Sequence, residues 1–222
     1  MMKKKPETSE VKAKRIGIPK IERASILVNI KGTTPLLVSR FSERAIKEIE
    51  ASQGGAGKLK KAPRVPAQEF QDARYHMGGK DYFPSIGIKK AMVLAGQRFA
   101  DEKGTELYGA FSIPTQFIEI INSKPNGKNW PAMRTDIARL QGKTANPVYR
   151  PEYWQWEMNV PLDININFLS LDQALNLLNL AGFSVGIGAW RVEKKGIFGQ
   201  WEIVEVLQQN QASLSKAKHS AV

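Results

Sequence analysis

The chain has 222 residues, 42% of them hydrophobic, with 33 lysines and arginines against 21 aspartates and glutamates, a net charge of +12. That length and composition suffice for a packed core, and the surplus of positive charge favours polyanionic partners, nucleic acid first. No cysteine and only two histidines, His76 and His219, exclude disulfides, thiolate chemistry and a multi-histidine metal centre, and no cofactor or metal is expected.

Residues 1–22 carry seven basic and three acidic side chains and read as a basic flexible arm. No apolar run follows the first lysines, as a signal peptide would require, and no run approaches a membrane span. A cytoplasmic protein without a membrane partner is the expectation. A single domain is expected over 23–207 and a flexible tail over 208–222.

Six elements form the expected core. Ser25 to Ile30 alternates as a strand. Ile86 to Ala100 repeats Ile88, Met92, Ala95 and Phe99 at helical spacing, behind Ser85 as N-cap. Thr115 to Asn122 is β-rich. In YWQWEMNVPLDININF every even position from Trp154 to Phe168 is apolar, a long strand with one core face, which Pro161 limits to an edge, bulge or bend. Leu171 to Ala181 follows a capping-box pair, Ser170 and Gln173, and stops at Gly182; Phe198 to Val206 is the last strand.

Strand, helix, strand, strand, helix, strand is an α+β, ferredoxin-like βαββαβ order, as in RNA-recognition domains, with one sheet face left free to bind. Two long insertions, about 33–84 and 123–150, interrupt it, and loops of that length are usually functional or disordered. The first carries short helices near Ser42–Glu50 and Ala67–Tyr75, a turn at Gly78-Gly79, and the basic side chains Lys58, Lys60, Lys61, Arg64, Arg74 and Lys80. The second reads as a basic loop, with Lys124, Lys128, Arg134, Arg139, Lys143 and Arg150 against Asp136 alone. Trp130 there either stacks a base beside those charges or anchors the loop to the core.

Between the second core helix and the last strand lies GFSVGIGAWRVEKKGIFGQWEI, with five of the chain's eighteen glycines. Gly186, Gly188, Gly196 and Gly199 would let backbone amides cradle phosphates, with Arg191, Lys194 and Lys195 adding charge. The alternative is a hairpin, Phe183–Trp190 and Ile197–Val206, with Trp190 packed on Trp201. No Gly-Lys-Ser/Thr follows a strand, so nucleotide hydrolysis is not indicated.

GIGAWRVEKKGIFG before the last strand, with TPLLV at Thr34–Val38, resembles the signature of the RAMP superfamily, the RNA-binding subunits of CRISPR effector complexes and their processing relatives. A solitary phage or mobile-element relative would look the same. The resemblance implies a ferredoxin-like core, RNA as partner and a basic insertion that holds it between subunits. The expected protein is therefore non-catalytic. It coats or holds single-stranded RNA or DNA through a basic groove, as a homo-oligomer or among the protein subunits of a larger complex. The alternatives are a metal-independent ribonuclease using His76, beside Arg74, Tyr75 and Lys80, and a subunit mimic that docks on a CRISPR-type complex.

Overall fold

The computed structural model describes residues 20–54, 63–122, 130–140 and 144–212. In chain order, β1 is Arg23–Gly32, β2 Leu36–Leu37, α1 Glu43–Gln53, α2 Pro66–Asp72, β3 Tyr75–Met77 and β4 Lys80–Pro84. Next come α3 Ser85–Phe99, α4 Gly104–Ala110, β5 Phe111–Ser112, β6 Phe117–Glu119 and β7 Ile121–Asn122. Then follow β8 Ala132–Leu140, β9 Thr144–Tyr153, β10 Trp156–Asn165, α5 Leu171–Ser184 and β11 Trp201–Ala212. The result is a mixed α+β protein with antiparallel sheets.

The main sheet runs β11-β1-β10-β5, with β7 also paired to β10. On its core face Ile26, Val28 and Ile30 stand opposite Leu162, Val160 and Met158. Trp156, Met158, Val160, Leu162 and Ile164 are all fully buried, so the period of two in the sequence is the core itself. A large apolar side chain buried to that degree contributes about 1.5–3 kcal/mol. α3 and α5 cover this face through Ile88, Met92, Ala95, Leu177 and Leu178. Pro161 has β1 on one side only, because β7 and β5 pair with the two ends of β10 and leave its middle open.

The periodic run ends sooner than expected. Gln155 adopts a left-handed φ of 54° between β9 and β10, so Trp154 falls on a turn and is 53% exposed. At the far end the N–H groups of Phe168 and Leu169 both bond to the Asn165 carbonyl, and Phe168 points outward. Thr115–Asn122 is two strands: β6 pairs with β4, and Ile121–Asn122 crosses to β10. Ser85 is the first residue of α3 and donates its hydroxyl to the Thr115 carbonyl; it does not cap. Phe99 is exposed, one turn beyond the buried stripe.

The capping box at Ser170 and Gln173 is present. Gly182 does not end α5, which continues to Ser184. A Cβ at 182 would stand 2.2 Å from the Trp201 carbonyl, so the helix needs glycine where it crosses β11. β11 starts at Trp201 and extends to Ala212, and the expected loose segment from Gln208 to Ala212 pairs with β1.

The second insertion is a β-ribbon. β8 and β9 pair from Ala132↔Glu152 to Leu140↔Thr144, with β2 alongside. The first insertion supplies α1, α2 and the β3–β4 hairpin, turning at Gly78 and Gly79 with φ of 57° and 79°.

Candidate nucleic-acid interface

The free face of the main sheet is not a base-stacking platform. Along β1 and β10 it presents Ser25, Leu27, Asn29, Lys31, Glu157, Asn159, Pro161 and Asp163, without an aromatic ring. Ser25 donates to Asp163 at 2.7 Å and Asn29 to Asn159 at 2.8 Å, so these groups satisfy one another.

The glycine stretch is a loop from 185 to 200 with one 3-10 turn, Val192–Lys194, and no hairpin. Gly186, Gly188 and Gly199 have φ of 71°, 78° and 69°, which glycine alone adopts without strain. Gly196 is needed for a different reason, since a Cβ there would meet the Trp190 carbonyl at 1.7 Å. The amides expected to cradle a phosphate are largely committed. Gly186 donates to Ala181, Gly196 to Arg191, and Gly199 to Pro35. Ala189 donates to the Leu37 carbonyl at 2.8 Å, and Gln200 to the Thr34 hydroxyl at 3.0 Å. The loop and TPLLV, far apart in sequence, thus form one layer.

Trp201 is buried in the core, but Trp190 does not pack on it. Trp190 sits 40% exposed at a left-handed φ of 53°, with the Arg150 guanidinium 5.9 Å from its ring centroid. Backbone strain of this kind costs on the order of 1–3 kcal/mol and concentrates at binding sites. The sequence offered Trp190 only as a packing partner of Trp201 and not as a binding residue. Its signal was its position: it follows Gly188-Ala189, inside no periodic apolar pattern.

Charges on the loop are partly internal. Glu193 gathers three cations: Arg191 at 2.9 Å, Lys194 at 3.3 Å and Arg98 of α3 at 3.4 Å. Desolvation pushes the Glu193 pKa up, but the Lys194 hydrogen bond and the charges of Arg191 and Arg98 outweigh it and hold the pKa below the ordinary range. Lys195, at φ 61°, is exposed and has no acidic partner among the described residues. Beside the loop a cleft of about 400 Å³ is lined by Tyr75, Ile86, Lys90, Gly186, Gly188 and Arg191, among others. Lys90 is exposed there, also without an acidic partner among the described residues.

The ribbon closes the other side. Arg134 lies 4.8 Å over the Phe198 ring and bonds to Asp136 at 2.8 Å and Glu152 at 2.9 Å. The Asp136 hydrogen bond raises its pKa. Arg150 is largely buried, and desolvation, with Arg134 nearby, lowers its pKa. Both arginines therefore join ribbon to loop before any ligand arrives. Arg64 is bonded to Glu69, Arg74 forks onto Asp81 at 3.1 and 2.9 Å, and Lys80 reaches Glu119 at 2.9 Å. The pairs at Arg64 and Lys80 are solvent-exposed, so a ligand phosphate can displace their carboxylates at little cost. The Arg74–Asp81 pair is buried and structural. Trp130 anchors the loop: its indole N–H donates to the Trp154 carbonyl at 2.8 Å, and its ring meets Tyr153 edge-on at 5.1 Å. Lys58, Lys60, Lys61, Lys124, Lys128 and Lys143 lie outside the described residues, as does the side chain of Arg139.

His76 is 42% exposed, and its Nδ1 is 2.8 Å from the buried Asp81 carboxylate. A proton on Nδ1 directed at Asp81 leaves the lone pair on Nε2. Tyr153 stands behind this cluster, and burial raises its pKa strongly. Among the described residues no group of His, Asp and Glu could hold a metal ion, and no helix is long and apolar enough to cross a membrane.

No family model matches the chain, and no curated protein matches it. Among solved structures it is similar to the crystal structure of Cmr6 from Pyrococcus furiosus. The TM-score is 0.44 and the identity 14%, over 83% of this chain and 100% of that one.

Proposed function

We propose that this chain is a non-catalytic nucleic-acid-binding protein with a ferredoxin-like, RAMP-like core, holding single-stranded RNA or DNA across the glycine loop and its cleft. The observation that carries the reading is Trp190. Its ring is braced on one side by Arg150, held at a left-handed backbone position and left half open to solvent, and its chain neighbours Ala189 and Arg191 line the cleft. A braced aromatic on a loop that carries the exposed Lys195, with the exposed Lys90 in the cleft, suits stacking of an unpaired base with phosphates alongside. In support of the core, β11, β1 and β10, which hold the last, first and third expected core strands, lie side by side in the main sheet, with the two-residue β5 and β7 beside β10.

The test is a titration of a fluorescent single-stranded oligonucleotide across salt concentrations, with matched RNA and DNA. Affinity should fall steeply, with a log–log slope of about −0.7 per phosphate neutralised. A Lys90→Gln/Lys195→Gln variant should flatten that slope by one to two contacts' worth. A flat salt response in the unaltered protein would overturn the reading.

A second reading has its own observation. The His76–Asp81 pair holds a partly exposed imidazole by its Nδ1, an arrangement a general base can use. It predicts strand cleavage without metal, lost in His76→Ala with binding retained.

A further inference from the structure

A groove of about 280 Å³ opens between the end of α3, α4 and the first turns of α5, lined by Ala100, Leu107, Phe168, Leu169, Leu177 and Leu180, among others. It lies at the opposite end of the α3–α5 pair from the cleft beside the glycine loop, which is lined by the first half of α3 and the residues after α5. An engineered cavity of roughly 150 Å³ admits benzene, so this groove has room for about two branched aliphatic side chains. Phe168 stands at its mouth 69% exposed. Its walls also carry Glu102 and Glu106. Glu106 pairs with the exposed Lys103 at 3.2 Å, whereas Glu102 has no cationic partner among the described residues.

The chain itself enters the fold beside this groove. Ahead of β1, the Glu22 carbonyl accepts from the Ile166 N–H at 3.0 Å, and the Lys20 carbonyl accepts from the Asn167 side-chain amide at 2.7 Å. β1 is antiparallel to β10, so the residues that precede β1 continue in the direction in which β10 ends, toward Phe168 and Leu169. Residues 1–19 lie outside the described residues. They hold six cations and two acids, and the stretch nearest the fold is KRIGIP, residues 14–19. Pro19 disfavours helical backbone at Ile18, and an extended segment puts Ile16 and Ile18 on one side. The four steps back from Lys20 to Ile16 cover about 13 Å when extended. Both isoleucines thus stay close to a groove whose mouth, Phe168, follows directly on the Asn167 that holds Lys20.

We infer that residues 14–18 dock in the α3–α4–α5 groove of their own chain, with Ile16 and Ile18 against Leu107, Phe168 and Leu180 and with Lys14 and Arg15 beside Glu102 and Glu106. The contact takes two isoleucines and the Phe168 ring out of water, and basic side chains meet the acidic wall. The tether makes it intramolecular, so it forms at high effective concentration without a second copy. Its place is remote from the glycine loop, so it stands whether or not the protein binds nucleic acid.

The chain has no cysteine, so thiol pairs can be placed cleanly. Ile16→Cys/Asn176→Cys puts one thiol on the segment and one on the exposed groove wall, and leaves Ile18 as anchor. Ile16→Cys/Ser25→Cys is the comparison, with its second thiol on the free face of the main sheet near the same end of β10. Both proteins, full length and dilute, would be oxidised in a glutathione buffer and followed by intact mass and non-reducing gel. The expected result is a monomeric 16–176 disulfide that forms about tenfold faster than 16–25, and that slows when Glu102→Lys and Glu106→Lys are added. In the cysteine-free chain, Ile16→Asp/Ile18→Asp should raise the fluorescence of an added apolar dye as the groove opens to it. Equal rates for the two pairs, a 16–176 link found only between copies, or unchanged dye fluorescence would each overturn the inference.

Discussion

The guanidinium of Arg150, in β9, sits 5.9 Å from the centroid of the Trp190 ring, in the loop before β11. The contact ties the inserted ribbon to the glycine loop at a residue whose backbone takes a left-handed φ. It also places a cation behind the ring that we take to stack a base. Trp190→Ala should therefore weaken single-strand binding by about 1–3 kcal/mol, roughly 5- to 150-fold. The melting temperature should change little, because the ring is half exposed. Fluorescence anisotropy with a labelled oligonucleotide measures the first, thermal denaturation the second. Equal affinity in the variant would remove Trp190 from the site.

Gly199→Ala should act on stability instead. Its φ is 69°, and a Cβ would stand 1.8 Å from the Ile187 carbonyl. Left-handed strain and overpacking together predict a loss of about 2–5 kcal/mol. A urea denaturation curve would show the midpoint falling at an unchanged slope.

The Glu193 cluster predicts a pH dependence. The folded-state pKa of Glu193 is depressed by Lys194, Arg191 and Arg98. Its contribution is thus present above the ordinary carboxylate value, 4.5, and is lost as pH falls through the lower folded value. Glu193→Gln should flatten the acid limb of a melting-temperature profile between about pH 5 and 3. An unchanged limb would mean that Arg98 and Glu193 do not hold the loop to α3 in solution.

Trp130→Ala should cost stability more than binding. The indole fills the seam between ribbon and core and donates to the Trp154 carbonyl. Removing a packed tryptophan costs about 3–5 kcal/mol. Differential scanning calorimetry would register that loss. A variant that melts normally but fails to bind oligonucleotide would restore Trp130 as a stacking residue.

His76→Ala separates the binding and cleavage readings. Incubation of labelled RNA in chelator, followed by gel analysis, should show the same intact strand with either protein. Cleavage by the unaltered chain that disappears in His76→Ala would establish the catalytic reading instead.

The core was legible in the sequence because burial in a sheet imposes a period of two. From Trp156 to Ile164 that period holds without exception, and Ser170 with Gln173 marks the start of α5 by local hydrogen bonding alone. The limits of β10 were not legible: a left-handed Gln155 and a turn at Asn165 free Trp154 and Phe168 from a pattern they still obey in sequence. The ribbon was hidden because Arg134, Asp136, Arg150 and Glu152, charged residues read as solvated, pair with one another across its inner face. The glycine loop was visible as a feature but not in its role. Its glycines are required by close approach to the carbonyls of Leu37, Ile187 and Trp190, partners that only the folded chain brings near. Sequence thus determined the net charge, the core strands and the place of the loop. Tertiary structure decided which cations remain free, since Lys90 and Lys195 are distinguished from Arg74, Arg134 and Arg191 only by the carboxylates that folding sets beside the latter three.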